Sequence, residues 1–166
     1  MRRASGFTRL ELAVVVALFA ILVGVFLTTV RRQQEEAEKL AVELTVMSLR
    51  TGLLSEAADR LLKGRGRETV DLLGSNPVRW LKGPPPGYLG EFKEVDERRL
   101  APGCWYFDQS SGELVYKLNL AENFRRLDGS GRREIRWRVQ PRPGNGDSVS
   151  TVGELVLAPT VTYEWF

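Results

Sequence analysis

The sequence predicts an α+β protein in which one long N-terminal α-helix packs against a small antiparallel β-sheet. Three observations lead there. An apolar run from Leu12 to Val30 continues into a second helical pattern that ends near Lys63-Gly64. A Pro/Gly-rich connector follows, and beyond residue 104 short alternating segments are bounded by turn residues. Such an order, one helix and then a run of strands, is that of an α+β domain.

The chain opens with a short basic leader, residues 1–6, which contains Arg2 and Arg3 and ends in Gly6. Leu12 to Val30 carries no charge over about 19 residues, roughly 28 Å of helix, enough to cross a hydrocarbon core of about 30 Å. A cleaved secretory signal has a shorter apolar core and a small-residue cleavage site after it. Here the run ends in Thr28-Thr29-Val30-Arg31-Arg32 instead. Glu11 sits at the threshold of the run. A carboxylate there is costly in lipid without a compensating partner, and it marks a functional site.

Residues 31–64 read as the amphipathic half of the same helix. Gln33 to Lys39 is polar with good helix formers. Leu40, Leu44, Met47, Thr51, Leu54, Ala58 and Leu61 recur in steps of four and three, and this stripe is expected to dock the sheet. Gly64, after Lys63, supplies the left-handed cap.

Residues 65–103 form the connecting region: a short helix at Glu68–Leu73, a break at Gly74-Ser75-Asn76-Pro77, a turn at Val78–Leu81, then Pro84-Pro85-Pro86 as extended connector. Residues 104–166 supply the sheet. Cys104–Asp108 and Glu113–Leu118 flank Gln109-Ser110-Ser111-Gly112 as a hairpin. Arg133 to Val139 alternates, with Ile135, Trp137 and Val139 on one face and Glu134, Arg136 and Arg138 on the other. Glu154–Leu157 and Val161–Trp165 complete the strands.

Gly6-Phe7-Thr8-Arg9-Leu10-Glu11 in front of such a helix resembles the processing site of type IV prepilins and type II secretion pseudopilins. The resemblance implies a pilin-like fold, with residues 7–30 as the transmembrane or filament-core half of the helix. It implies cleavage by a prepilin peptidase between Gly6 and Phe7 and N-methylation of Phe7. It also implies that Glu11 neutralises the N-terminal amine of a neighbouring subunit during assembly. Arg9 stands where the family usually has an apolar residue, and the mid-span proline of many pilins is missing, leaving Gly24 and Thr28-Thr29 as soft points.

A second pattern resembles the globular part of minor pilins and pseudopilins. It runs Asn76-Pro77-x-x-Trp80, Pro85-x-Gly87-Tyr88, Gly103-Cys104-Trp105-Tyr106-Phe107 and Gly112-Glu113-Leu114-Val115-Tyr116. The paired C-terminal cysteines of many major pilins are missing, which favours a minor pilin or pseudopilin. The implied partners are the peptidase, other pilin or pseudopilin subunits, an inner-membrane assembly platform and membrane lipid. The implied location is the bacterial inner membrane, N-terminus cytoplasmic and C-terminal domain periplasmic, and the pilus or pseudopilus after assembly.

The remaining composition is restrictive. The chain has no histidine and one cysteine, which removes imidazole catalysis and any intrachain disulfide. Its 24 basic and 21 acidic residues become 22 and 21 without Arg2 and Arg3, a net charge of +1. That balance argues against nucleic acid as a partner. Glu91, Glu94, Asp96 and Glu97 read as an acidic loop, and Asp108 and Glu113 as solvated brackets of the hairpin. Asn145-Gly146-Asp147-Ser148 lacks the repeated oxygen ligands of a calcium loop, so no metal or cofactor is expected. No constellation supports an enzyme. The alternative is a bitopic, membrane-anchored periplasmic binding module for a ligand or DNA. Its carriers would be Lys63, Arg65 and Arg67, or the cluster Arg125, Arg126, Arg132, Arg133, Arg136 and Arg138; against that stands their reading as solvated strand edge or subunit contact.

Overall fold

The computed structural model describes residues 8–96, 99–142 and 155–166. It is α+β, with, among the described residues, one long helix, α1 (Arg9–Leu62), two short 3-10 turns (Gly66–Leu72 and Pro77–Trp80) and seven strands. The chain divides into two compact units, residues 1–37 and 38–166, with α1 contributing to both.

In the first unit, α1 is continuous through Gly24 and the two threonines. The Thr28 and Thr29 hydroxyls both donate to the Val25 carbonyl, at 2.8 and 3.0 Å, so neither polar group is left open on the apolar surface. An 18-residue window of the helix has mean hydropathy 2.9 and none of it is buried. By length and composition it is able to cross a membrane.

The second unit is built on a five-stranded sheet of order β1-β2-β3-β5-β6. Its strands are β1 (Tyr88–Phe92), β2 (Cys104–Asp108), β3 (Glu113–Lys117), β5 (Glu134–Pro141) and β6 (Leu155–Pro159). β4 (Phe124–Arg126) and β7 (Tyr163–Trp165) pair separately in a two-stranded sheet. Within the main sheet β2–β3, β3–β5 and β5–β6 are antiparallel. The expectation of a wholly antiparallel sheet is corrected at one edge: β1 pairs parallel to β2. Phe92 and Cys104 are joined by a crossover long enough to return the chain to the same end of the sheet, which a parallel pair requires. Val95 and Leu100 of that crossover pack on Cys104, Tyr106 and Val115, covering the sheet face turned away from α1.

The other sheet face receives the helix. Leu114, Ile135, Trp137, Val139 and Leu157 from the strands meet Val42, Val46, Leu49, Leu53 and Ala57 from α1. This corrects the predicted docking stripe. Leu40, Leu44, Met47 and Leu54 are all at least half exposed, whereas Leu49 and Ala57 are fully buried. Both sets obey the same three-four spacing, two residues out of phase, so periodicity alone favours neither. Leu49→Ala is expected to cost about 2–5 kcal/mol through lost burial and a residual cavity. Leu44→Ala should fall within about 0.5 kcal/mol of wild type. Urea unfolding of the two variants side by side separates the faces.

Polar contacts fix the docking. The Glu38 carboxylate accepts from the Tyr116 hydroxyl at 2.9 Å and from the Asn119 and Leu120 amides at 2.7 and 2.9 Å. Lys39 donates to the Trp165 carbonyl, and Arg50 to the Leu157 carbonyl. α1 ends as expected. Gly64, at φ +72°, lets its own amide bond the Leu61 carbonyl and the Arg65 amide bond the Arg60 carbonyl, which closes the last turn.

Candidate functional site

The first turn of α1 carries the one sequence-predicted site residue that can be described. Gly6 and Phe7 lie outside the described residues, as do Asn145-Gly146-Asp147-Ser148, Glu97 and Glu154. At Glu11 the geometry is a reciprocal N-cap. The Glu11 amide donates to the Thr8 hydroxyl oxygen at 3.2 Å, while Glu11 Oε2 accepts from the Thr8 amide at 2.9 Å and the Thr8 hydroxyl at 3.0 Å. The Leu12 amide bonds the Thr8 carbonyl. Two amide donors at the helix start, which no carbonyl of the helix can satisfy, are thereby met.

Thr8 is thus the capping residue; Thr-x-x-Glu before an apolar run is the sequence signature of that role, beyond its place in the processing motif. Among the described residues no donor reaches the second Glu11 oxygen, Oε1, and no cation pairs with the carboxylate. Arg9 does not engage it. The residue is exposed, with Oε2 committed to the cap of its own helix.

The second constellation lies on the sheet, and it corrects the reading of its charges as solvated. Asp108, Glu113 and Glu134 are buried. Arg136 sits among them, with Nε 2.7 Å from Glu134 and Nη1 3.3 Å from Glu113 and 3.5 Å from Asp108. Arg138 reaches Glu113 at 3.2 Å, and Arg126, from β4, reaches Asp128 at 2.7 Å and Glu134 at 3.5 Å. The alternation of β5 does put Arg136 and Arg138 opposite Trp137, as expected. The bordering strands place carboxylates on that same face, so Arg136 is paired inside the fold and Arg138, which stays partly exposed, is paired with Glu113.

Two carboxyls of the main sheet, Asp108 and Glu91, are shifted. Burial pushes Asp108 up, but hydrogen bonds from Ser110 and Ser111 outweigh it and hold the group below its ordinary value of 3.8. Glu91 belongs to β1 rather than to an acidic loop. Chiefly the Asn76 amide, helped by Gln109 and Arg79, keeps it below its ordinary 4.5 against the opposing effect of burial. A carboxyl depressed in the folded state contributes stability above its unfolded value and loses it as pH falls through the folded one. Unfolding midpoints in urea should therefore be level from neutrality down to about pH 5 and fall below about pH 4.

Other features carry less chemistry. Burial pushes the Cys104 thiol up, so it is an unreactive apolar neighbour of Tyr106. Arg125 is paired with Glu164 on the surface. Among the described residues no group of three or more metal-ligating side chains is found. No protein-family model, curated protein or solved structure matches the chain. What the fold defines is an α+β protein with a long, unburied apolar segment in its N-terminal helix.

Proposed function

We propose that this chain is a structural subunit, a minor pilin or pseudopilin, of a type IV pilus or type II secretion pseudopilus. On this reading prepilin peptidase cuts between Gly6 and Phe7 and methylates Phe7. The processed chain waits in the inner membrane with its C-terminal domain in the periplasm, and then joins a filament through its N-terminal helix. It performs no catalysis and takes no cofactor.

One observation carries the reading: Gly6-Phe7-Thr8-x-Leu10-Glu11 stands immediately before a 19-residue charge-free run. The geometry of Glu11 adds to it. The cap engages only Oε2 of the carboxylate, and a cation brought by a neighbouring subunit offsets the cost of carrying a carboxylate into an apolar filament core. Because that cation is the N-terminal amine of a copy displaced along the filament, the pair also sets register. The competing idea of a DNA-binding module loses its best carriers, since Arg136 and Arg138 are held by carboxylates.

Deletion of the chain from its host tests the reading. Filament initiation or secretion should be impaired and restored by the full-length wild type. Unchanged filaments and unchanged secretion in the deletion strain would count against it.

A further inference from the structure

A cleft of about 360 Å³ opens beside α1 within the second unit, a volume in the range of ligand pockets. Its floor is apolar: Val42 and Val46 from α1, Trp137 from β5 and Pro159 at the end of β6. The Trp105 ring braces Trp137, with centroids 5.4 Å apart, and Phe124 braces Tyr163 at 5.6 Å. The walls are therefore set by contacts of the fold itself.

Three polar groups border this floor, and the fold leaves each of them with bonding capacity. The ion pair of Glu43 with Lys39 is long, 3.9 Å, and Lys39 already donates to the Trp165 carbonyl at 2.9 Å. Arg50 uses Nε on the Leu157 carbonyl at 3.1 Å, and among the described residues its Nη atoms have no partner. The Tyr163 hydroxyl likewise makes no hydrogen bond among the described residues. Burial pushes that hydroxyl up, Glu43 pushes it the same way, and Arg50 opposes them. Both charges are thus felt at one point of the cleft. They do not pair with each other, and they stand seven residues apart on α1, about 10 Å of rise.

We infer that this cleft binds a segment of a partner polypeptide that presents an apolar or aromatic side chain between a basic and an acidic residue. The apolar side chain covers Val42, Val46 and Trp137. The basic residue pairs with Glu43, and the acidic one with Arg50, whose planar fork matches a carboxylate. The Tyr163 hydroxyl serves the backbone of the segment between them. Charge and spacing select this occupant. An extended chain advances about 3.3 Å per residue, so a span of about 10 Å sets the two charges three positions apart. A free amino acid carries its amine and carboxylate on one carbon and falls short of that span. A nucleic-acid strand brings only negative charge and sets it against Glu43. The inference uses the second unit alone and does not rest on the subunit reading.

The test uses the purified full chain in detergent micelles, with empty micelles as the blank. The probes are fluorescein-labelled peptides containing Lys-Gly-Phe-Glu or its reverse, Glu-Phe-Gly-Lys, and all-acidic versions of both with Glu in place of Lys. By anisotropy, one of the two Lys/Glu peptides should bind the wild type about tenfold or more tighter than its all-acidic version. Glu43→Lys should invert that preference. Glu43 is exposed, so an unchanged urea midpoint for the variant certifies its fold. Binding that ignores the Lys-to-Glu exchange, binding unaltered by Glu43→Lys, or no binding by any of the four peptides overturns the inference. So does a disulfide between copies carrying Met47→Cys and Cys104→Ala, since Met47 lines the cleft and a second copy would then cover it. None of these outcomes bears on cleavage at Gly6–Phe7 or on assembly, by which the subunit reading is judged.

Discussion

Glu11→Ala should leave cleavage at Gly6–Phe7 intact and lower incorporation into filaments by about a hundredfold. In an assembled core the carboxylate is expected to be paired and dry. Removing one member of such a pair strands the other, at about 3–5 kcal/mol. About 3 kcal/mol is already some two orders of magnitude in an association constant. The cap at the head of α1 makes a sharper variant available. Glu11→Gln keeps the length and oxygen needed to accept from the Thr8 amide, as capping boxes with Gln do. It removes only the charge. If charge pairing drives assembly, Gln is as defective as Ala. If Glu11 serves merely to start the helix, Gln behaves as wild type. Quantifying the subunit in sheared filaments against total membrane protein distinguishes the two.

The second large effect is on stability. Arg136→Met should destabilise the second unit by about 3–5 kcal/mol, since it leaves Asp108, Glu113 and Glu134 buried without the cation they share. Methionine preserves most of the side-chain volume, so packing contributes little of the loss. Arg125→Met is the matching control. Its pair with Glu164 is largely exposed on both sides, and pairs of that kind contribute at most about 1 kcal/mol. Urea denaturation of the two variants should show a large shift for the first and almost none for the second. Equal shifts would mean that the buried carboxylates find water or another donor when Arg136 is gone.

The legible parts of this fold were those whose signal is local. The helix cap at Gly64, the hairpin with Gly112 at φ +67°, and the strand Cys104–Asp108 each rest on a few neighbouring residues and agree with expectation. The face of α1 that docks the sheet was not legible, because Val42/Val46/Leu49/Leu53 and Leu40/Leu44/Met47/Leu54 are equally periodic. Nor was β1, whose five residues include Gly90 at φ +110° and whose parallel partner is reached by a crossover. The charge network escaped for a related reason. Alternation along β5 identifies which residues share a face, but not that carboxylates from β2 and β3 converge there or that a crossover covers the neighbouring surface. At the helix head the identity of Glu11 was readable from the motif, while Thr8 was readable only as a motif letter and not as a cap.

The first residue of the protein extracted from host membranes tests the central claim most directly. Intact-mass and N-terminal peptide measurement should find a chain beginning at Phe7 with one added methyl group on its amine, residues 1–6 gone. A chain that still begins at Met1 in a host possessing the peptidase would contradict it.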